Sequence, residues 1–325
     1  MSFAATERNH RPHASAAGCA PPRAEAARMK VALLRWFETH GRATLPWRVD
    51  ASPYRVTVSE FMLQQTQVER VIPSFERFVA RFGDFVSLAQ ASRADVVRSW
   101  QGLGYNSRAV RLHELARTVR DRHNGTLPRD DDALRALPGV GPYTARAIRA
   151  FAFHDDVVAL DTNVRRIVHR TQFGLEHPPM ATAVELEVAA ATLLPRGSAF
   201  AFNSALMDLG ATICTARAPK CPVCPLRRTC AAGPVDAAVL ARASARRPRA
   251  PKRERFETTT RYLRGRIVDR LRALPAERAV SLLRLSDDLA PLGPAHGAEG
   301  IANALAALEA EGLVERVDDA FRLRL

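Results

Sequence analysis

The chain has 325 residues, 47% of them apolar, enough for a sizeable core and, at ordinary domain sizes, for two domains. No stretch approaches the run of about 20 apolar residues that spans a bilayer, which excludes an integral membrane protein of the helical kind. A formal charge of +14 and a pI near 10.7 favour an anionic polymer as partner. Apart from Lys30, Lys220 and Lys252 every basic side chain is arginine or histidine, a bias that explains arginine over lysine but not the excess of basic over acidic residues.

Residues 1–28 are rich in Ala, Pro and Arg without a continuous apolar segment, so they read as a disordered tail and not a secretory signal. A cytoplasmic, nucleoid-associated location is the expectation. From Met29 to about Cys230 the pattern is one of short helices joined by polar turns. Between Val68 and Phe82 the apolar residues Val68, Val71, Ile72, Phe75, Phe78, Val79 and Phe82 recur with helical spacing. Ala94–Trp100, Ala109–Arg122, Asp131–Leu137 and Ala183–Leu194 read alike, and no hairpin signal interrupts them, so this part should be all-α.

The segment Leu137-Pro-Gly-Val-Gly-Pro-Tyr-Thr144 separates two helical patterns. Gly139 and Gly141 suit a tight turn with positive φ and let a phosphate approach the backbone. Pro142 suits a first helical position, and the free amides of that helix end would favour an anion. Leu160-Asp-Thr-Asn-Val-Arg-Arg166 follows about twenty residues later.

Cys214, Cys221, Cys224 and Cys230 then form the array C-x6-C-x2-C-x5-C, with Cys19 the remaining cysteine. Four thiolates this close suit a zinc ion or an iron–sulfur cluster. Two disulfides are the alternative, disfavoured because no secreted-scaffold composition accompanies them. Residues 233–257 form a basic linker. Beyond it Thr258–Leu274, Ser281–Leu289 and Glu299–Gly312 read as helices and residues 313–324 as strand, Asp-Asp turn, strand. Residues 258–325 should thus form a small winged-helix-like module, for DNA contact or for packing alone.

The order of L-P-G-V-G hairpin, aspartate and cysteine array resembles the endonuclease III-type helix–hairpin–helix DNA glycosylases. That resemblance implies a two-lobed all-α fold over residues 29–232 and a [4Fe-4S] cluster held by Cys214, Cys221, Cys224 and Cys230 in the loop 214–230. Within that superfamily, Ser59-Glu-Phe-Met-Leu-Gln-Gln-Thr-Gln-Val68, preceded by Leu45-Pro-Trp-Arg48 and followed by Gly102-Leu-Gly-Tyr105, resembles the MutY-type adenine DNA glycosylases. The glutamate of this run is expected within a continuous helix.

The resemblance implies base excision repair on double-stranded DNA carrying adenine opposite 8-oxoguanine or guanine, by a monomeric enzyme. It casts Glu60 as the acid protonating adenine and Asp161 as the anion beside C1′. Tyr143 and Asn163 would position them, Gln65 and Tyr105 would fill or wedge the gap left by the extruded base, and Trp47 and Arg48 would line the adenine pocket. Arg217 and Lys220 would lie near phosphates. Lyase-type members carry lysine where this chain has Tyr143, so water rather than an amine is the expected nucleophile.

Three departures stand out. The roughly ninety residues after Cys230 show no Nudix-like domain for reading 8-oxoguanine, and His296 in Gly293-Pro-Ala-His-Gly297 is no convincing substitute for its loop. Thr162 follows the aspartate where glycine is common, and Asn106 follows Tyr105 where a second tyrosine is common. The competing readings are a mismatch thymine or uracil glycosylase and a non-catalytic iron–sulfur DNA-binding regulator. Retention of both carboxylates argues against the last.

Overall fold

The computed structural model describes residues 23–176, 180–235, 240, 254–290 and 297–325. The first 22 residues of the expected tail, Cys19 among them, most of the expected linker, and His296 lie outside these. The tail expectation is corrected at its end, because helix α1 spans Arg23–His40 and already buries Ala26.

Among the described residues eleven further helices follow before the cysteine array: α2 Pro46–Val49, α3 Pro53–Leu63, α4 Val68–Arg81, α5 Phe85–Gln90, α6 Arg93–Ser99, α7 Ser107–His123, α8 Asp131–Arg135, α9 Pro142–Phe151, α10 Thr162–Gln172, α11 Ala183–Leu193 and α12 Ala199–Thr212. Many are so short that end-capping decides where they start. Asp84 accepts from the Ser87 amide and Thr182 from the Glu185 amide in reciprocal capping boxes, while Ser92, Asp130 and Asp161 cap α6, α8 and α10.

Two apolar cores result. One joins α2 to α9, with Phe61, Phe75, Phe78, Leu88 and Trp100 at its centre. The other joins α1 to α10, α11 and α12 through Met29, Leu33, Ile167, Phe202 and Leu206, with Leu226 of the cysteine loop beneath them. The chain therefore starts in the second lobe, builds the first, and returns.

The C-terminal region contains α13 Thr260–Arg272, β1 Val280–Ser281, α14 Leu282–Leu289, α15 Ala298–Ala310, β2 Val314–Val317 and β3 Ala320–Leu323. Its antiparallel sheet has the order β1-β3-β2, with Val280 opposite Phe321 and Val314 opposite Leu323. The three helices and the final hairpin match expectation; β1, two residues long, carries too little pattern to be read in advance. The interior of this region, Leu263, Ile267, Leu305 and Phe321, is continuous with the core of the first lobe. The junction is reinforced where Arg272 Nε donates to Val97 O at 3.0 Å, Arg98 Nη2 to Leu274 O at 3.2 Å and Arg93 Nη1 to Gly312 O at 3.1 Å.

Candidate active site

Helix α3 carries Glu60 into the interior. Its helix neighbours Val56, Val58, Phe61 and Met62 are buried, and Glu60 itself is only 7% exposed. The helix expected around Glu60 is present as α3; it stops at Leu63, and Gln65 adopts φ 56° in the turn before α4. This break lets Gln65 stand exposed at the rim while Glu60 stays within.

The hairpin between α8 and α9 sets Tyr143. Gly139 has φ 77°, and a Cβ there would come within 2.8 Å of the Phe61 ring, so both backbone conformation and space require glycine. Gly141 departs from expectation. Its φ is −92° and its Cβ would meet nothing, because as N-cap of α9 it lies in the extended region open to any residue.

Asp161 is the N-cap of α10. Its Oδ1 accepts from the Val164 amide at 2.6 Å and its Oδ2 from the Asn163 side-chain amide at 3.2 Å. A helix N-terminus favours negative charge at this point. Asn163 is itself oriented by Arg166, whose Nη2 donates to Asn163 Oδ1 at 2.9 Å and to Gly210 O at 2.9 Å. Gly210 is needed for this approach, since a Cβ there would lie 2.8 Å from the Asn163 Cβ.

These elements frame a cavity of about 420 Å³ between the two lobes, lined by Trp47, Arg48, Glu60, Gln65, Tyr143, Asp161 and Asn163 among others. Seven expected residues thus meet in one place; Tyr105, Gly139 and Gly141 do not line it. Burial pushes the Glu60 carboxyl up to about 7, aided by the Asp161 charge and opposed by a hydrogen bond from Tyr143 and by Arg48. Burial, with the charges of Glu60 and Asp161, also holds the Tyr143 phenol well above its ordinary range. The two carboxylates therefore occupy unlike environments, one dry and beside a phenol, the other on a helix end.

Arg48 lines the cavity but does not project freely into it. Its Nη1 and Nη2 donate to Asp208 Oδ2 and Oδ1 at 2.8 and 3.1 Å, and Arg42 adds its backbone amide and Nε at 2.8 Å each. Burial of Asp208 opposes ionisation, yet the two guanidinium groups outweigh it and hold this carboxyl below its usual range. Trp47 is likewise half core, its ring edge-on to Phe75 at 5.3 Å.

Tyr105 sits beside the rim with φ 45°, a second left-handed residue. One buried guanidinium joins its loop to that of Gln65. Arg108 donates to the carbonyls of Phe61, Met62 and Gln64 at 2.9, 2.8 and 2.6 Å, and to those of Leu103 and Gly104 at 3.1 and 3.0 Å. Burial lowers its pKa to about 10, so it remains charged at neutral pH. Sequence reading missed Arg108, Asp208 and Gly210. Each acts through partners over 40 residues away in the chain, and no short motif marks them.

The four cysteines surround a second cavity of about 310 Å³ with apolar neighbours Ile167, Leu209, Ile213, Leu226 and Val235. All four are free thiols, which sets aside the disulfide alternative. Among the described residues no three Cys, His, Asp or Glu side chains converge on an ion-sized point. The Val235 amide donates to Cys221 Sγ at 3.4 Å, and Arg170 Nη1 faces Cys214 Sγ at 3.6 Å. Burial pushes the Cys224 and Cys230 thiols up to about 11, a cost that a bound cation reverses. Arg166 and Arg170 of α10 tie the loop down, donating to Cys214 O and Thr215 O at 2.8 Å each. Arg217, Lys220 and Arg228 stand exposed on its outer side.

Two packed lobes, a glycine hairpin and paired carboxylates facing one open cavity define a helix–hairpin–helix DNA glycosylase. The family model for HhH-GPD superfamily base excision DNA repair proteins matches residues 58–191. The chain is 41% identical over 295 residues to the adenine DNA glycosylase of Mycolicibacterium smegmatis, covering 89% of this chain and 93% of that one, a span that reaches into the C-terminal region. It is 42% identical over 256 residues to the Mycobacterium tuberculosis adenine DNA glycosylase, covering 76% of this chain and 80% of that protein. Among solved structures, a thermostable thymine-DNA glycosylase superposes with a TM-score of 0.60 at 30% identity, over 64% of this chain and 96% of that one. A trapped endonuclease III–DNA covalent intermediate gives 0.56 at 23% identity, over 65% of this chain and 97% of that one, a likeness of fold. The chain belongs to the adenine DNA glycosylase family, enzymes of base excision repair that hydrolyse an N-glycosyl bond.

Proposed function

We propose that this enzyme is a monofunctional glycosylase that removes adenine mispaired with 8-oxoguanine or guanine in duplex DNA. The observation that carries the reading is the pairing of a buried, readily protonated Glu60 with Asp161 across one cavity of base-sized volume. The target nucleotide must leave the duplex to reach it. Glu60 then donates its proton to adenine N7, the C1′–N9 bond breaks with its electron pair passing into the base, and the positive charge develops on the sugar. Asp161 faces that charge. Water adds to C1′, and its proton returns to the Glu60 carboxylate. Tyr143 fixes the Glu60 carboxyl, Asn163 fixes Asp161, and Trp47 and Arg48 form the wall against which the base lies. Gln65 and Tyr105, on loops locked together by Arg108, enter the duplex where the base has left. The hairpin around Gly139 and Gly141 approaches a backbone phosphate.

The cysteine cavity fits a [4Fe-4S] cluster. A single zinc needs sulfur atoms about 3.8 Å apart, as bonds of about 2.3 Å to a tetrahedral centre require. Four thiols lining an apolar cavity of about 310 Å³ suit the larger group better. When bound, such a cluster supplies four iron–thiolate bonds that cross-link the loop and hold Arg217 and Lys220 towards DNA. The domain boundaries we infer are 23–232 for the glycosylase, which includes the whole of α1, 233–257 for the linker and 258–325 for the C-terminal module. The enzyme acts as a monomer on cytoplasmic, nucleoid DNA.

The test is base release from duplexes carrying A·8-oxoG, A·G, T·G and U·G, followed by alkaline strand cleavage. Cleavage at adenine in the first two supports the reading. Cleavage at thymine or uracil instead would assign the site to the thymine-glycosylase class.

A further inference from the structure

The C-terminal region reaches the wedge loop directly. Helix α13 places the Arg261 guanidinium carbon 4.1 Å from the centroid of the Tyr105 ring, while Arg108 lies 5.6 Å from the same centroid. Two cations thus lie within reach of the tyrosine ring, one buried in the glycosylase lobe and one exposed on α13. Three turns along the same helix, Arg272 Nη2 donates to Asn106 Oδ1 at 2.6 Å. Arg272 is itself fixed by Val97 O at 3.0 Å and Asp269 Oδ1 at 3.0 Å. Phe256, just before α13, packs 5.5 Å from the Arg261 guanidinium and edge-on to Tyr262 at 5.4 Å, so the start of the helix is held as well.

We propose that α13 is a strut that positions Tyr105: Arg261 caps its ring and Arg272 pins Asn106, so that the C-terminal module sets the pose of the probing tyrosine. The proposal rests on the reading of Tyr105 as the residue that enters the duplex. Two physical needs make a strut necessary. A tyrosine at φ 45° is held in a sparsely populated region that costs about 1–3 kcal/mol and persists only where surrounding contacts over-determine it. A wedge ordered beforehand also spends less binding energy on fixing its side chain when it meets DNA. Arg108 supports the ring from the glycosylase lobe, and Arg261 supports it from α13 at the shorter distance. Asn106 is the residue whose short side-chain amide receives Arg272 and ties α13 to the loop.

The inference is tested on the full-length protein by single-turnover excision and by the fluorescence of 2-aminopurine placed beside the target adenine, which reports unstacking. Arg261→Ala should lower both the unstacking signal and the excision rate about fivefold. Arg261→Lys should restore much of each, because it keeps a cation over the ring. Asn106→Ala should act in the same direction. Arg264→Ala, which breaks a pair with Glu311 inside the module, should leave both readouts unchanged. In a Tyr105→Ala background Arg261→Ala should add nothing. Unaltered unstacking in Arg261→Ala, alongside a clear defect in Tyr105→Ala, would overturn the strut. A further loss in the Tyr105→Ala background would also overturn it, assigning Arg261 to direct contact with DNA. Unaltered unstacking in Tyr105→Ala itself would instead remove the wedge reading on which the strut depends.

Discussion

Tyr143 faces the buried carboxyl of Glu60, and its phenol, together with Arg48, restrains a pKa that burial alone would lift further. With Glu60 at about 7, excision that depends on its proton should be fastest below neutrality and fall about tenfold per pH unit above about 7. Tyr143→Phe removes the phenol's share of that restraint, so the descending limb should move to higher pH. Single-turnover rates from pH 5 to 9 measure this, and a limb that stays in place would sever Tyr143 from Glu60.

The same shift bears on stability. The folded pKa of about 7 lies above the ordinary value of 4.5, so the native state binds the proton more tightly than the unfolded chain. Stability from this group is fully present below about 4.5 and lost as pH rises through about 7, a change on the order of 3 kcal/mol. Glu60→Gln should flatten that part of the stability profile in urea titrations while abolishing most excision. A profile as steep as that of the unmodified protein would assign the dependence to other groups.

Asp161→Asn keeps an oxygen for capping α10 but removes the negative charge that we propose acts on the sugar. Excision should fall by a factor of about 10² to 10³ with lesion affinity retained. Gel-shift and single-turnover assays on one duplex separate the two; parallel loss of binding and excision would mean that the aspartate serves the fold alone.

Neither Lys30 in α1 nor Lys220 in the cysteine loop lines the active cavity, and Lys252 lies outside the described residues. Borohydride during turnover should therefore trap little covalent complex, and the product should be an intact abasic site. Tyr143→Lys places an amine in the cavity and should gain trapping and some strand cleavage. Efficient trapping by the unmodified protein, lost on changing one of its three lysines, would relocate the nucleophile.

Asp208→Ala leaves Arg42 and Arg48 without their carboxylate in a site where Asp208 is 1% exposed. Removing one partner of a buried pair costs about 3–5 kcal/mol, so the melting temperature should drop by many degrees. Asp208→Asn should recover part of that loss in calorimetry. Equal melting for all three proteins would show the cage to be energetically idle.

Much of the fold lies in local pattern. The apolar spacing of Val68 to Phe82 yields α4 to within a residue, and Pro142 marks the start of α9. Glu60 and Asp161 are readable because each sits in a run of residues specific to its chemistry. The residues that hold them are not readable this way. Arg108 hydrogen-bonds carbonyls, which every sequence has everywhere, and Asp208 looks like one more acid on an apolar helix until Arg42 and Arg48 fold against it. The end of α3 at Leu63 was equally hidden, because Gln64 to Gln67 have adequate helix propensity and only tertiary contacts turn the chain there.

The interleaved cores have a consequence for how the protein is made. On the ribosome, α6 emerges with Val97 and its neighbours exposed, and the segment that covers them, from Leu263 to Leu323, is synthesised more than 150 residues later. The α1 helix likewise waits for α12 before Met29 and Leu33 are buried. A nascent chain therefore carries two half-finished interiors through much of translation, and the cleft between them takes shape only once α12 has emerged. Ribosome-bound fragments of this enzyme present the hairpin and Glu60 early, yet lack the assembled pair of lobes needed to cut a base from DNA.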